Sequence, residues 1–107
     1  MKRIVAVFKP VMLDAVVFAL HRIENFPGGT VSEVQTIGTG GKRSANGTDE
    51  EPTIGYPLGI RLEIVCGEDL VEQVLAAIQD NARTGRADDG QVFVSAVERV
   101  VPVSPPS

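Results

Sequence analysis

The residues best suited to chemistry stand in one short stretch near the end of the chain, between Arg83 and Val94. It holds two glycines, Gly85 and Gly90, with two adjacent carboxylates and two arginines. Glycine adopts positive φ without a Cβ penalty, so such a segment can turn several backbone N–H groups toward one point. N–H groups beside a guanidinium group suit a phosphate or another anion. The same residues are also typical of an ordinary helix-to-strand turn with solvated charges, which local composition alone favours.

Residues that catalysis or metal binding would need are scarce elsewhere. His21, the only histidine, falls in a predicted helix, where an isolated histidine is usually a surface or packing residue. Cys66 closes an apolar run and is expected to act as a small hydrophobic side chain. No CxxC, HxxxH or HExxH spacing occurs, so one chain offers no ligand set for zinc or copper. The acids Asp88 and Asp89 are adjacent loop residues, which seldom converge on one substrate atom. We therefore expect no enzyme, no metal and no cofactor.

The charge balance argues against nucleic acid as a partner. Acidic residues outnumber basic ones by 14 to 10, and tryptophan is absent, whereas binding to phosphate backbones needs a basic footprint and stacking needs aromatic platforms. No apolar run is long enough to span a bilayer, and Asp14 interrupts the apolar positions that a secretion signal would need. A single cysteine agrees with a reducing compartment. We expect a cytoplasmic protein with one domain.

The first half of the chain reads as strand, helix and strand. A β-branched run over residues 3–8 predicts the first strand, and apolar residues at helical spacing over 13–23 predict the first helix. Residues 25–29 contain a proline and two glycines and end it. Alternation over residues 30–37 predicts the second strand. The positions expected to be buried in that strand are Val31, Val34 and Ile37.

From residue 39 to residue 58 the composition shifts to Gly, Ser, Asn, Thr, Asp, Glu and Pro. A segment of this length between two strands is expected to project as a long loop and not to divide the chain into domains. Lys42, Arg43 and Tyr56, the only tyrosine, are candidates for recognising a partner protein. The alternative is a solvated loop surface without a partner.

The second half reads as strand, helix and strand. Residues 60–66 alternate as a third strand, a second helix opens with Glu68 and Asp69, and residues 92–101 form a fourth strand. Residues 102–107 are proline-rich and predict a flexible tail. The order βαββαβ predicts an α+β, ferredoxin-like domain over 1–101, a four-stranded antiparallel sheet with both helices on one face. The other face is also apolar by pattern, which favours self-association.

Several blocks, in order, resemble the PII-type signalling proteins. Thr84-Gly-Arg-Ala-Asp-Asp-Gly-Gln-Val-Phe-Val is similar to that family's signature Thr-Gly-Lys-Ile-Gly-Asp-Gly-Lys-Ile-Phe-Val, which forms a nucleotide-phosphate loop. Met1-Lys-Arg-Ile-Val-Ala-Val-Phe-Lys-Pro resembles its N-terminus, and Thr30-Val-Ser-Glu-Val and Ile60-Arg-Leu-Glu-Ile-Val resemble its second and third strands. The resemblance implies a homotrimer whose sheets pack around a central axis, with adenine nucleotides bound in the clefts between subunits.

The resemblance also implies which residues bind the nucleotide. Thr30 and Val65 match positions that hold the adenine base. Val7 lies on the apolar wall of the same cleft, and Gly38 matches the glycine that lets the base or ribose come close. The phosphate loop would comprise Gly85, Arg86, Ala87, Asp88, Asp89, Gly90 and Gln91.

Departures from the family pattern change the expected ligand. Gln91 stands where the family has a phosphate-binding lysine, Pro102 and Ser104 stand where it has two arginines, and Asp88 replaces a glycine. Because charged hydrogen bonds contribute about 1.5–3 kcal/mol each, we expect ADP or AMP to be preferred over ATP. The family's uridylylation motif is absent, and Gly40 and Gly59 replace its glutamine and lysine for magnesium and 2-oxoglutarate. Sensing of 2-oxoglutarate is therefore not carried over.

We expect a regulator that binds an adenylate between subunits and controls a target protein through the 39–58 loop. The diverged loop resembles branches linked to inorganic-carbon uptake or metal efflux, which implies bicarbonate as a second ligand and a membrane transporter as one candidate target. An alternative is a metal-tolerance-type ferredoxin-like trimer that binds a metal or another small effector. A third class, an acylphosphatase-like hydrolase, would need an arginine cradle that residues 9–12 lack.

Overall fold

The computed structural model of the chain describes residues 1–37 and 56–105. Within them, four strands and two α-helices follow one another in the predicted βαββαβ order. These elements are β1 (Lys2–Phe8), α1 (Leu13–His21), β2 (Thr30–Gln35), β3 (Leu58–Cys66), α2 (Val71–Ala82) and β4 (Gly90–Ala96). A single 3-10 turn precedes each α-helix, at Pro10–Met12 and at Glu68–Leu70.

The strands form one antiparallel sheet in the order β2-β3-β1-β4. The central strand β1 pairs with β3 from Lys2↔Cys66 to Phe8↔Ile60, and with β4 from Lys2↔Ala96 to Phe8↔Gly90. Consequently the carboxyl ends of β1 and β2 and the amino ends of β3 and β4 meet at one end of the sheet. We call this the loop end, and the opposite end the far end.

Both helices cover the same face of the sheet, as predicted. The apolar positions of β1 and β3 on that face are 4 % exposed or less, and they pack against apolar residues of α1 and α2. Burying each such aliphatic side chain stabilises the fold by about 1.5–3 kcal/mol. The largest fully buried side chains in this core are Ile4, Leu20, Ile64, Ile78, Val16 and Val74.

We call the face without helices the open face. The sequence pattern predicted that it is apolar, but in the structure it also carries charged side chains. The Arg61 Nη1 atom lies 2.9 Å from Glu63 Oε1, and the Arg3 Nε atom lies 3.6 Å from Glu63 Oε2. The Glu63 carboxylate is thus paired with two guanidinium groups. This pairing allows the three charged side chains to lie on a partly buried surface. Val5, on the same face, is 1 % exposed.

The second and fourth strands are shorter than predicted. β2 ends at Gln35, which pairs with Leu58, the first residue of β3 and the last one assigned to the loop from sequence. β4 ends at Ala96 because β1, its one ladder partner among the described residues, begins opposite it at Lys2. Val31 and Ile37 are 47 % and 83 % exposed, so the prediction that they are buried is wrong. The helices reach β1 and β3, and the buried core includes no residue of β2.

Candidate functional site

The loop between α2 and β4, residues 83–89 (the α2–β4 loop), is organised around the carboxylate of Asp89. The backbone N–H groups of Thr84, Gly85 and Arg86 donate to Asp89 Oδ2, the last two at 3.0 and 3.3 Å, and the Thr84 hydroxyl donates to Oδ1. These hydrogen bonds lower the pKa of Asp89 from 3.8 to about 2. The N–H groups thus converge as predicted, but the anion they hold is the chain's own carboxylate and not an external phosphate.

Two glycines allow this loop to close against the sheet. Gly85 has φ of 90° and Gly90 has φ of 130°, a region that side-chain-bearing residues rarely adopt. A Cβ atom at Gly90 would lie 2.0 Å from the backbone carbonyl oxygen of Val7, whereas one at Gly85 would meet open space. Gly90 therefore lets β4 begin directly against β1.

The second acid of the loop, Asp88, pairs with a lysine that the sequence analysis missed. Lys9 Nζ lies 3.2 Å from Asp88 Oδ1 and 3.6 Å from Asp89 Oδ1, and Arg86 Nε lies 3.6 Å from Asp88 Oδ1. The hydrogen bond and the charge of Lys9 lower the pKa of Asp88. Lys9 stands two residues after Val7, which places both on the same face of an extended chain. That spacing could have identified it.

A cleft of about 730 Å³ opens at the loop end of the open face. It brings together five of the predicted site residues, which are Val7, Asp88, Asp89, Gly90 and Gln91. It also holds polar residues that the sequence analysis did not assign to the site, namely Lys9, Gln35, Thr36 and Arg61. Arg61 is the register partner of Val7, so only the strand pairing reveals it. Gly59 lines the same wall, and a Cβ there would lie 3.1 Å from the Thr36 methyl group.

Thr30 and Val65 do not reach this cleft within one chain. Val65 pairs with Arg3 at the far end and lines a second cleft of about 530 Å³ with Ser95 and Arg99. Thr30, at the start of β2, pairs with Glu63 in the same half of the sheet. Val7 and Arg3 are four residues apart on β1, which is about 13 Å at the rise of a strand. The predicted site residues are therefore divided between the two ends of one face.

The remaining predicted residues are exposed or lie outside the description. Arg86 has 73 % of its side chain exposed, and Ala87 is exposed as well. Tyr56, 60 % exposed, precedes Pro57, whose carbonyl oxygen accepts hydrogen bonds from Thr36 N at 2.8 Å and Thr36 Oγ1 at 3.1 Å. The candidate residues Gly38, Lys42 and Arg43 fall in 38–55, outside the described residues.

Cys66 and His21, the other residues with reactive side chains considered from the sequence, lie in different surroundings. Cys66 is buried, and burial raises the pKa of its thiol, which makes the thiolate scarce. His21 makes an edge-to-face contact with Phe26, with ring centroids 6.1 Å apart. Over residues 1–37 and 56–105, His, Cys, Asp and Glu side chains form no group of three that could hold a metal ion. None of the helices in those ranges is long and apolar enough to cross a membrane.

Comparison of the sequence with known proteins shows the family to which the chain belongs. The family model described as nitrogen regulatory protein P-II covers residues 1–106. The P-II protein of Azospirillum brasilense is 38 % identical over 101 residues, which is 94 % of this chain and 89 % of that protein. The P-II proteins of Bradyrhizobium diazoefficiens and Nostoc punctiforme are 37 % and 35 % identical over the same shares.

Proposed function

This chain belongs to the P-II family of nitrogen regulatory proteins, and we propose that it is a signalling regulator whose adenylate site is shared by two of its copies. The α2–β4 loop and the loop-end cleft of one copy receive the phosphate end of the nucleotide. The far end of a neighbouring copy, with Thr30 and Val65, receives the base. The observation that carries this proposal is the division of the site residues between opposite ends of one sheet face.

Each end of the open face carries only part of the predicted nucleotide site, which favours assembly of several copies of the chain. The loop-end cleft has polar groups beside Val7, but Val65, one of the residues expected to hold the base, pairs with Arg3, about 13 Å from Val7 along β1. The open face also exposes apolar side chains, among them Phe93, which is 44 % exposed. Covering this face with further copies buries those side chains and completes the site in one step. A homotrimer, as the family resemblance implies, does this around one axis.

The electrostatics of the cleft favour ADP or AMP over ATP. The two cations that line it among the described residues, Lys9 and Arg61, each face a carboxylate, at 3.2 and 2.9 Å. Gln91 adds no charge, and Asp88 adds a negative one. A third phosphate therefore brings more repulsion than attraction. Calorimetric titration with AMP, ADP and ATP tests this preference. ATP binding at least tenfold more tightly than ADP and AMP would contradict it.

A mixing experiment tests whether the site is shared. Gln91→Glu adds a negative charge at the loop end, and Val65→Glu adds one at the far end. Each variant alone is expected to bind ADP at least tenfold more weakly than the wild type. When the two are co-expressed and assemble at random in a cyclic trimer, about a quarter of the sites combine two intact halves. Calorimetry should then recover about a quarter of the wild-type stoichiometry at wild-type affinity.

The control for mixing is co-expression of each variant with a differently tagged copy of itself, which creates no intact site. No recovery in the mixed sample would show that both halves belong to one chain. If light scattering finds only single copies that still bind ADP, the shared site is also ruled out. If the wild-type chain binds no adenylate, the proposed function itself fails.

Control of a target protein would run through the residues between β2 and β3. The cleft wall includes Thr36, Ile37 and Pro57, which lie at the two ends of that segment, and Leu58, which follows it. A ligand in the cleft can shift the segment only by binding two of its arrangements with different affinity. Trypsin cleavage after Lys42 and Arg43 provides a readout, with cleavage after Arg22 as the internal control. Saturating ADP should change the rate at the first two sites at least threefold and leave the third unchanged.

Bicarbonate and a transporter target belong to the same proposal as narrower hypotheses. The guanidinium group of Arg86, largely exposed, can receive a small anion, while the neighbouring N–H groups already donate to Asp89. A thermal-shift screen of adenylates with and without bicarbonate tests this second ligand. The metal-binding alternative has no supporting cluster among the described residues. Heat from a divalent metal without heat from any adenylate would favour that alternative.

A further inference from the structure

The two acids of the α2–β4 loop have different environments. Asp89 has 16 % of its side chain exposed and is surrounded by the N–H groups that it holds. Asp88 has 70 % of its side chain exposed, and its side-chain partners are cations, Lys9 and Arg86. Asp89 therefore shapes the loop, whereas Asp88 carries a charge that the loop geometry does not use.

The backbone conformation of Asp88 does not require glycine at this position. Its backbone lies outside the positive-φ region that Gly85 and Gly90 occupy. Its carboxylate lines the loop-end cleft beside Lys9, whose own side chain is 32 % exposed. Any phosphate that reaches Lys9 must therefore displace the carboxylate of Asp88 or bind next to it.

We infer that Asp88 is a specificity-determining residue, an internal competitor that withholds Lys9 and Arg86 from polyphosphate groups. This inference rests on the proposed adenylate site and adds the residue that sets its charge preference. The penalty from a fixed negative charge grows with the charge of the incoming phosphates, so it weakens ATP more than AMP. At a partly solvated site, one negative charge 3.2 Å from Lys9 is expected to change the ratio of ATP affinity to AMP affinity on the order of fivefold.

A structural role for Asp88 makes a different prediction. If the Lys9–Asp88 ion pair only anchored the loop, removing it would weaken AMP, ADP and ATP by the same factor. If Asp88 competes for the cations, removing its charge frees Lys9 for the outer phosphates. Affinity for ATP should then rise relative to AMP.

The test is calorimetric titration of AMP, ADP and ATP into the full chain and its variants. Asp88→Asn keeps the shape of the side chain and removes its charge. It is expected to raise the ratio of ATP affinity to AMP affinity at least fivefold. Lys9→Gln combined with Asp88→Asn should abolish most of that gain, because Lys9 is the group released. The gain should also shrink at high salt, since the charges are exposed.

Asp80→Asn is the matched control, because it removes the same charge from the end of α2. Asp80 pairs with Arg83 at 3.5 Å and is not among the residues lining the loop-end cleft, so the affinity ratio should not change. Asp88→Gly is a second variant in case the first folds poorly, with melting temperature as the check.

Two results would overturn the inference and leave the adenylate site intact. The first is an equal change for all three nucleotides in Asp88→Asn, which would assign Asp88 a structural role. The second is the same change in Asp80→Asn, which would assign the effect to net charge. If neither the wild type nor any variant binds an adenylate, the inference fails together with the proposed function.

Discussion

The two faces of the sheet use the same alternation of residues for different purposes. On the covered face, Ile4 and Ile64 are completely buried against both helices. On the open face, their neighbours Arg3 and Glu63 form an ion pair and border a cleft. A strand shifted by one residue would exchange these roles. The two-residue alternation along each strand thus places one set of side chains in the core and the other set on the open face, beside the clefts.

The largest predicted difference between the two faces is in the free energy of unfolding when neighbouring residues of β3 are truncated. Ile64→Ala removes a fully buried side chain and should lower the free energy of unfolding by about 2–5 kcal/mol. Val65→Ala, on the open face, should cost less than about 1 kcal/mol. Urea denaturation at one fixed protein concentration measures both. Equal costs would show that assembly encloses Val65 as fully as Ile64, so that the difference between faces would hold only for the single chain.

A smaller effect distinguishes the two glycines of the site. Gly90→Ala places a methyl group against the Val7 carbonyl oxygen and adds the strain of positive φ. It should destabilise the chain by about 2–4 kcal/mol and weaken nucleotide binding. Gly85→Ala carries only the strain, about 1 kcal/mol. Thermal unfolding combined with ADP titration would show whether the loop end tolerates either change. Similar losses in both variants would indicate that the contact with β1 is unimportant.

The smallest predicted effect depends on pH. Because folding lowers the pKa of Asp89 to about 2, its contribution to stability is fully present above pH 3.8 and is lost as the pH falls through 2. Asp89→Asn should therefore be less stable than the wild type at neutral pH, with a difference that narrows below pH 3.8. Carbon NMR of the carboxyl group gives the midpoint directly. A midpoint near 3.8 would show that the loop hydrogen bonds are absent in solution.

Periodicity and turn chemistry were sufficient to predict the order of elements, the single antiparallel sheet and the placement of both helices. The α2–β4 loop was found from Gly85, Gly90 and the adjacent charges, since positive φ leaves a signature in composition. The ends of β2 and β4 were not, because a strand ends where its partner ends. Strand pairing also determined that Arg61 faces Val7, which no local pattern encodes.

The predicted anion-binding role of the loop shows a second limit of sequence reasoning. The N–H groups do converge, but composition alone does not tell an external phosphate from the carboxylate of Asp89 four residues after Gly85. Likewise, the resemblance assigned Thr30 and Val65 to the same site as Val7, but within one chain neither residue lines the loop-end cleft that contains Val7. The residues that a side chain contacts in a neighbouring copy of the chain cannot be predicted from its local sequence.

The paired hydrogen bonds from Thr36 to the Pro57 carbonyl oxygen have an evolutionary consequence. They join the residue after β2 to the residue before β3 at the edge of the sheet. The residues between Thr36 and Pro57 can therefore be exchanged without disturbing β2 or β3. Closing a chain segment costs only about 0.6 kcal/mol more for each doubling of its length. That segment can therefore be rewritten while the loop-end cleft and the sheet and helices that support it are inherited unchanged.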